Sequence, residues 1–434
     1  MSFSGKFDRR GGWLKVTLLI GAIAVFAIVF LAGCGGSSDT TGASESTAAE
    51  TEEEAATEEG GSEEAAAETT VSEAELQKTV DRALETNSIK ASTLPPLMQE
   101  ALGLATAEPS AEEMDKAFEC WKASSCTIGD GPITLGLADG FGDNTWRQFS
   151  KMNVILQAMK FPEVGKIITT NAHGELATFQ ANLRSLTAQG AEAIVVYNDF
   201  GPAAYPALQA AQREGAATST FVSPGDGAPT SAITTRVQPD ICEAGKEMAK
   251  ATEEAIGAPG PVAYFEGTPG NPQDEGWKKC ATEAGIESDF ETETEWTPAG
   301  AQKAASALVA SGKPVKAILY SYSNPVPSMV NVYLKAGQEI PAIITWTQNN
   351  ETTCQWIEHP YTLYQTNALN WAARVSVDAV VKATEGEEVP PEVIYPFPFS
   401  PAKKSSCDKS KPAEYPGASA LVPDALTEKM LAGQ

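Results

Sequence analysis

The chain has 434 residues, a hydrophobic fraction of 42% and a formal net charge of -26, enough length for two domains with cores of their own. The acidity excludes a nucleic-acid partner, because a phosphate backbone would be repelled. The two histidines, His173 and His359, leave little material for a metal site or histidine base catalysis, and neither a metal nor a cofactor is expected. Much of the charge is local: no basic residue lies between Lys15 and Lys78, while Asp39 to Glu68 holds 11 acidic ones.

The first residues read as an export signal. Lys6, Arg9, Arg10 and Lys15 make a basic start, and Val16 to Leu31 is uninterrupted and apolar. That run is short for a membrane span of about 20 residues. Leu31-Ala32-Gly33-Cys34 follows and is similar to the bacterial lipoprotein signal. The resemblance implies that residues 1–34 are signal and lipobox, that Cys34 is acylated, and that the protein sits on the outer face of the cytoplasmic membrane. Residues 35–70 are rich in Ser, Thr, Glu, Ala and Gly, with too little apolar surface to fold, and read as a disordered acidic tether. At about 5–6 Å × √n, such a tether reaches on the order of 30–35 Å.

Six cysteines remain: Cys120, Cys126, Cys242, Cys280, Cys354 and Cys407. An even count in an exported chain favours disulfides, and chain order gives the pairs Cys120–Cys126, Cys242–Cys280 and Cys354–Cys407 among the many connectivities six cysteines allow. The absence of a CxxC pair argues against zinc.

Residues 71–130 read as a small helical extension. Ser72 with Glu75, and Ser110 with Glu113, are capping boxes; the first helix runs to about Glu85, Leu94-Pro95-Pro96 breaks the chain, and the second runs through Trp121. The organising stretch is Ile133 to Met159: a buried strand, a turn in which Gly140 and Gly142 permit positive φ, a cap from Asp143 or Asn144, and a helix with Trp146, Phe149, Met152, Ile155 and Met159 on one face. Strands are expected at Ile133–Ala138, Lys166–Thr170, Ala193–Asn198, Thr218–Ser223 and Ile233–Val237. A second run follows at Pro261–Glu266, Phe290–Trp296, Val315–Tyr320 and Ala342–Trp346. The intervening helices stop on Gly190, Gly215, Gly285, Gly312 and Gly337. Two such runs predict an α/β protein with two doubly wound parallel-sheet lobes. A further helix is expected from Asn367 to about Glu385, an extended segment from Val389 to Phe399, and a short helix near Asp424–Leu431.

The enzyme signatures fail. Asp139-Gly-Phe-Gly142 has Thr145 where a dinucleotide fingerprint has its third glycine, and no Gly-x-Ser-x-Gly elbow, His-Glu-x-x-His or Walker loop occurs. What remains are amides and aromatics at the carboxyl ends of strands, where open α/β sheets bind ligands. In the first run these are Phe141, Asn144, Trp146, Arg147, Asn198, Asp199 and Phe200. In the second they are Asn271, Gln273, Trp296, Tyr322, Asn324, Trp346, Thr347, Gln348 and Gln365. Amides suit hydroxyl-rich ligands, and aromatic faces suit the C–H face of a sugar or another flat molecule.

From about Ile133 to Phe399 the chain resembles the type I periplasmic binding proteins, in the sugar-binding branch typified by ribose-binding protein. LTAQGAEAIVVYN (186–198), GTPGNPQDEGW (267–277), VKAILYSYSN (315–324) and the stretch 361–389 carry the resemblance. It implies a three-crossing hinge, a ligand cleft between the lobes, and delivery of a small solute to an ABC-type permease by a monomeric protein. It places lobe one at 131–238 and 366–390 and lobe two at 239–365 and 391–434. Its contact positions fall on Phe141, Trp146, Asn198, Trp296, Asn324 and Gln365, with Asn144, Arg147 and Trp346 beside them. Three of the family's charged positions fall near Val222–Ser223, on Asn271 and on Thr347, leaving a more neutral, aromatic cleft. The alternatives are a sensory protein presenting its ligand to a membrane receptor, or an extracellular glycoside-acting enzyme using carboxylates among Asp199, Glu266, Asp274 and Glu275.

Overall fold

The computed structural model describes residues 71–222, 228–257 and 260–433. The signal, Cys34 and the tether lie outside the described residues, and so does Ser223. Among the described residues no helix is long and apolar enough to cross a membrane.

The extension holds α1 (Glu73–Leu84), α2 (Pro96–Leu104), α3 (Ala111–Lys122) and β1 (Ser125–Thr127). Both capping boxes form, with Ser72 and Ser110 each accepting from the amide three residues on. The α2 helix was not expected: Pro96 stands in its first turn, where a missing N–H costs nothing, and Leu97, Met98, Ala101 and Leu102 bury one side.

Lobe one begins β2 (Ile133–Asp139), α4 (Thr145–Ala158), β3 (Val164–Asn171), α5 (Leu176–Ala188), β4 (Ala191–Tyr197), α6 (Tyr205–Arg213), β5 (Ala217–Phe221) and β6 (Thr235–Pro239). Lobe two follows as α7 (Ile241–Ile256), β7 (Val262–Glu266), α8 (Pro272–Glu283), β8 (Ser288–Glu293), α9 (Pro298–Ser311), β9 (Ala317–Tyr320), α10 (Val326–Ala336), β10 (Ala342–Thr345), α11 (Asn350–Glu358) and β11 (Leu363–Gln365). The chain ends with α12 (Ala372–Thr384), β12 (Glu392–Tyr395), β13 (Ser400–Pro401) and α13 (Asp424–Ala432).

The sheets run β1-β3-β2-β4-β5-β6-β12 and β13-β11-β10-β9-β7-β8. Every pairing is parallel except β1 with β3 and β11 with β13, at the two edges. Parallel strands covered by helices on both faces read as continuous apolar runs, and β2 is buried at six of its seven positions. Strand order reverses between β2 and β4 and between β7 and β9, so each lobe has a switch point whose carboxyl ends open a crevice. Lobe one packs Phe149, Met152, Val375 and Val380 on one face of its sheet and Phe179, Leu183 and Leu208 on the other. Lobe two has Met248 and Trp277 on one face and Leu308, Met329 and Val330 on the other.

The three expected crossings join the lobes after β6, β11 and β12. The segment 391–434, expected on lobe two, divides instead. The β12 strand pairs in parallel with β6 of lobe one, because the extended stretch completes that sheet's edge. Residues 400–415 lie on lobe two, tied by the Cys354–Cys407 disulfide and by Asn350, whose side chain donates to the carbonyls of Asp408, Lys411 and Pro412. A fourth crossing then returns the chain to lobe one. Asn153 on α4 donates to the Ala420 carbonyl at 2.9 Å, and Arg374 on α12 to the Leu421 carbonyl at 2.9 Å. Arg374 also donates to Asn153 and Gln157, and Gln157 donates to Asp378, forming a buried polar cluster.

All three disulfides follow chain order. Five helix-ending glycines, Gly190, Gly215, Gly285, Gly312 and Gly337, have positive φ as expected. Gly140 and Gly142 do not. They are small for closeness: a Cβ on Gly140 would stand 2.4 Å from Asp199 Oδ2. The strand expected through Trp296 ends at Glu293, because Glu295 and Trp296 turn the chain with φ of 54° and 51°.

Candidate functional site

The carboxyl ends of both sheets face one cavity of about 590 Å³. Eight of the eleven sequence-derived ligand residues line it: Phe141, Asn144, Trp146, Arg147, Asn271, Trp296, Trp346 and Thr347.

The lobe-one wall grows from the start of α4. Asn144 is the helix cap, its Oδ1 accepting from the Arg147 amide at 2.9 Å. That cap swings Trp146 and Arg147 over the end of β4. The Arg147 guanidinium donates to Asp139 Oδ1 at 2.5 Å and Asp199 Oδ1 at 2.6 Å, and its carbon stands 3.2 Å from the centre of the Tyr197 ring. Burial opposes the guanidinium's charge, but Asp139 and Asp199 outweigh it and hold the group protonated well beyond its ordinary range. Burial pushes Asp139 up to about 6; Arg147 pulls it down and Asp199 adds to the rise. Trp146 meets Tyr197 edge-on at 5.7 Å, stacks toward Phe221, and donates through Nε1 to the Ala368 carbonyl at 2.6 Å.

The lobe-two wall is set by two caps and a turn. Asn271 caps α8, its Oδ1 accepting from the amides of Gln273 and Asp274. The Trp296 indole lies across Gly267, where a Cβ would collide with the ring, and donates to Ser321 Oγ at 3.0 Å. Thr347 is bonded to Ser323. Trp346 is largely buried, edge-on to Phe397, with its Nε1 toward Met248 sulfur. The lobes touch beside the cavity, where Gln273 Nε2 donates to the Val222 carbonyl at 2.5 Å.

Among the described residues eight non-glycine positions have positive φ, and five of them line the cavity: Val222, Glu295, Trp296, Thr347 and Leu369. Each such backbone costs about 1–3 kcal/mol, and strain of this kind collects where shape serves a ligand.

Three expected residues lie elsewhere. Asn198 is fully buried, donating to the Gly201 carbonyl and accepting from the Phe200 amide; it shapes the turn. Asn324 stands on the loop into α10, outside the lining. Gln365 is buried on β11 away from the cavity. The lining also takes in Asp199, Phe200, Gln273 and Tyr322, which the sequence places at strand ends, and adds Tyr197, Ser321, Glu295 and Leu369, among others. The signal for Tyr197 was strand parity: along an extended segment residues 197 and 199 share a face and 198 points the other way.

The chain matches the periplasmic binding protein domain family over residues 137–388. It belongs to that family. Solved structures with the same two-lobed fold include three binding proteins of low sequence identity. The arabinose ABC-transporter component of Shewanella sp. ANA-3, bound to L-arabinofuranose, is 15% identical with a TM-score of 0.57, over 62% of this chain and 92% of that one. A solute-binding protein of Bacillus halodurans C-125 with bound myo-inositol is 15% identical with a TM-score of 0.56, over 63% and 95%. One from Actinobacillus succinogenes 130z with bound D-allose is 18% identical with a TM-score of 0.54, over 63% and 98%. No curated protein sequence matches the chain. Within this periplasmic binding protein, the extension, the C-terminal return and the N-terminal 70 residues lie outside the matched stretch.

Proposed function

We propose that this periplasmic binding protein is a lipid-anchored, monomeric extracytoplasmic receptor. It captures a sugar or sugar-like molecule between its lobes and hands it to an ABC importer, without chemistry on the ligand. The observation that carries the reading is the aromatic-walled cavity built from both lobes at their sheet switch points. Indole and phenol faces suit the C–H faces of a sugar ring, and Asn144, Asn271, Ser321 and Tyr322 supply hydroxyl partners. A ligand touching both walls adds affinity only to the closed arrangement, and that difference draws the lobes together. The bound sugars of the neighbouring structures support the ligand class. The Leu31-Ala32-Gly33-Cys34 run supports the anchor.

The test is a thermal-shift screen of the purified protein against sugars, polyols, nucleosides and amino acids. A ligand bound only by the native state raises Tm by mass action. A shift confined to sugars and polyols is expected; a shift with nucleosides or amino acids alone would refute the ligand class. Loss of acylation in Cys34→Ser tests the anchor.

A further inference from the structure

The charge around the cavity is unbalanced. Arg147 is the one basic residue in its described lining, and it is already committed to two carboxylates. Asp199 is in the lining itself, and Asp139 is buried directly behind the guanidinium. A third carboxylate, Glu295, stands exposed at the lobe-two edge of the lining, next to Trp296 on the left-handed turn. Nothing in the described lining offsets it. Aromatic faces add to the same sign, because their π clouds present negative charge to a ligand.

An acidic ligand therefore meets no available cation. To bind one, Arg147 would have to leave Asp139, stranding a buried carboxylate. A neutral ligand is tolerated. A ligand with a positive group gains twice, from the carboxylate at the rim and from the ring faces.

Resting on the sugar-binding reading above, we propose that the cavity selects a polyhydroxylated amine, such as an amino sugar or aminocyclitol, whose ammonium sits between Glu295 and the aromatic walls. The hydroxyls and ring face are read by the amides and indoles. The charge is read by the carboxylate excess, and uronic acids are rejected.

The experiment is a Kd measurement on the full chain in mild detergent, by calorimetry. The probes are glucose, glucosamine, N-acetylglucosamine and glucuronate, the corresponding galactose series, and choline as an amine without a sugar. Acetylation keeps the ring and nitrogen but removes the charge. In whichever series binds, the free amine is expected to bind about two- to thirtyfold tighter than its neutral parent. N-acetylation and high salt should erase that margin, and the acid should bind most weakly. Glu295→Gln, at an exposed position, should shrink the margin between the amine and its neutral parent. An acid binding as tightly as the amine, or an amine no better than its parent, overturns the charge reading and leaves the sugar reading standing. Choline binding with no sugar binding does the reverse. A folded protein that binds none of the probes counts against both.

Discussion

Replacing Arg147 with methionine tests the wall on which the cavity depends. The guanidinium and Asp139 are almost wholly buried, with side-chain exposures of 5% and 7%, and Asp199 is at 19%. Removing one partner of such a buried pair costs about 3–5 kcal/mol, because the remaining charge is stranded. The cost should depend on pH. Asp139 already titrates at about 6 in the folded protein, above the ordinary carboxylate range. A carboxyl whose folded value is raised contributes stability in acid and loses it as pH rises through that value. Without the arginine the folded value climbs further, so the loss extends through neutrality at up to about 1.4 kcal/mol per pH unit. Urea unfolding followed by tryptophan fluorescence should show Arg147→Met close to wild type near pH 5 and several kcal/mol weaker near pH 8. Asp139→Asn in the same chain should recover much of the deficit. An equal deficit at both pH values, or none at the higher one, would refute the stranded-charge reasoning.

Three further outcomes follow from the geometry. Trp296→Ala should cost about 2 kcal/mol of binding, near thirtyfold in Kd, whereas Asn324→Ala, outside the lining, should change it by less than about 0.5 kcal/mol; calorimetry with the best ligand of the screen decides, and equal effects would contradict the site. Removing Cys354–Cys407, which spans 53 residues, should lower stability by about 4 kcal/mol against about 2 for Cys120–Cys126, which spans 6; denaturant midpoints in the reverse order would contradict this. Burial pushes Asp378 up to about 8, so it keeps a proton that the unfolded chain releases, and stability falls as pH rises between about 4 and 8. Asp378→Asn should flatten that fall, leaving the variant about 1–3 kcal/mol ahead near pH 8; a steeper fall would speak against a neutral Asp378.

The lobes were legible because their signals are local. Apolar runs such as Ile133–Asp139 and glycines at helix ends repeat in order, and each states its own conformation. Short elements escaped. The α2 helix starts on the second residue of a proline pair that reads as a break, and β12 is assigned by which sheet edge it completes, which no local pattern contains. The cavity was legible where a residue's place follows from one turn, as with Asn144, Trp146 and Arg147 at the start of α4. It was not where a side chain's direction decides. Asn198 and Tyr197 are neighbours in sequence on opposite faces of the strand end, and the amide was chosen for its chemistry over the tyrosine. The left-handed turn at Glu295 and Trp296 was illegible for another reason: neither residue favours positive φ, so the surrounding packing, with Gly267 beneath the indole, imposes it.

The fourth passage of the chain supplies a ruler. Residues 400–415 ride with one lobe and residues from Ala420 onward with the other, although few positions separate them in sequence. Lys411 and Tyr415 of the first stretch still pair with Asp424 and Glu428 of α13, so the partner of a dye on the exposed Lys409 belongs on lobe one proper, at the exposed Arg184 of α5, across the moving joint. Their energy transfer would report the angle between the halves directly, with neither probe entering the ligand's space. The same feature makes the C-terminal end unsuitable for trimming: cutting before Ser419 would remove the hydroxyl that accepts from the Ala368 amide, on the crossing against which Trp146 rests.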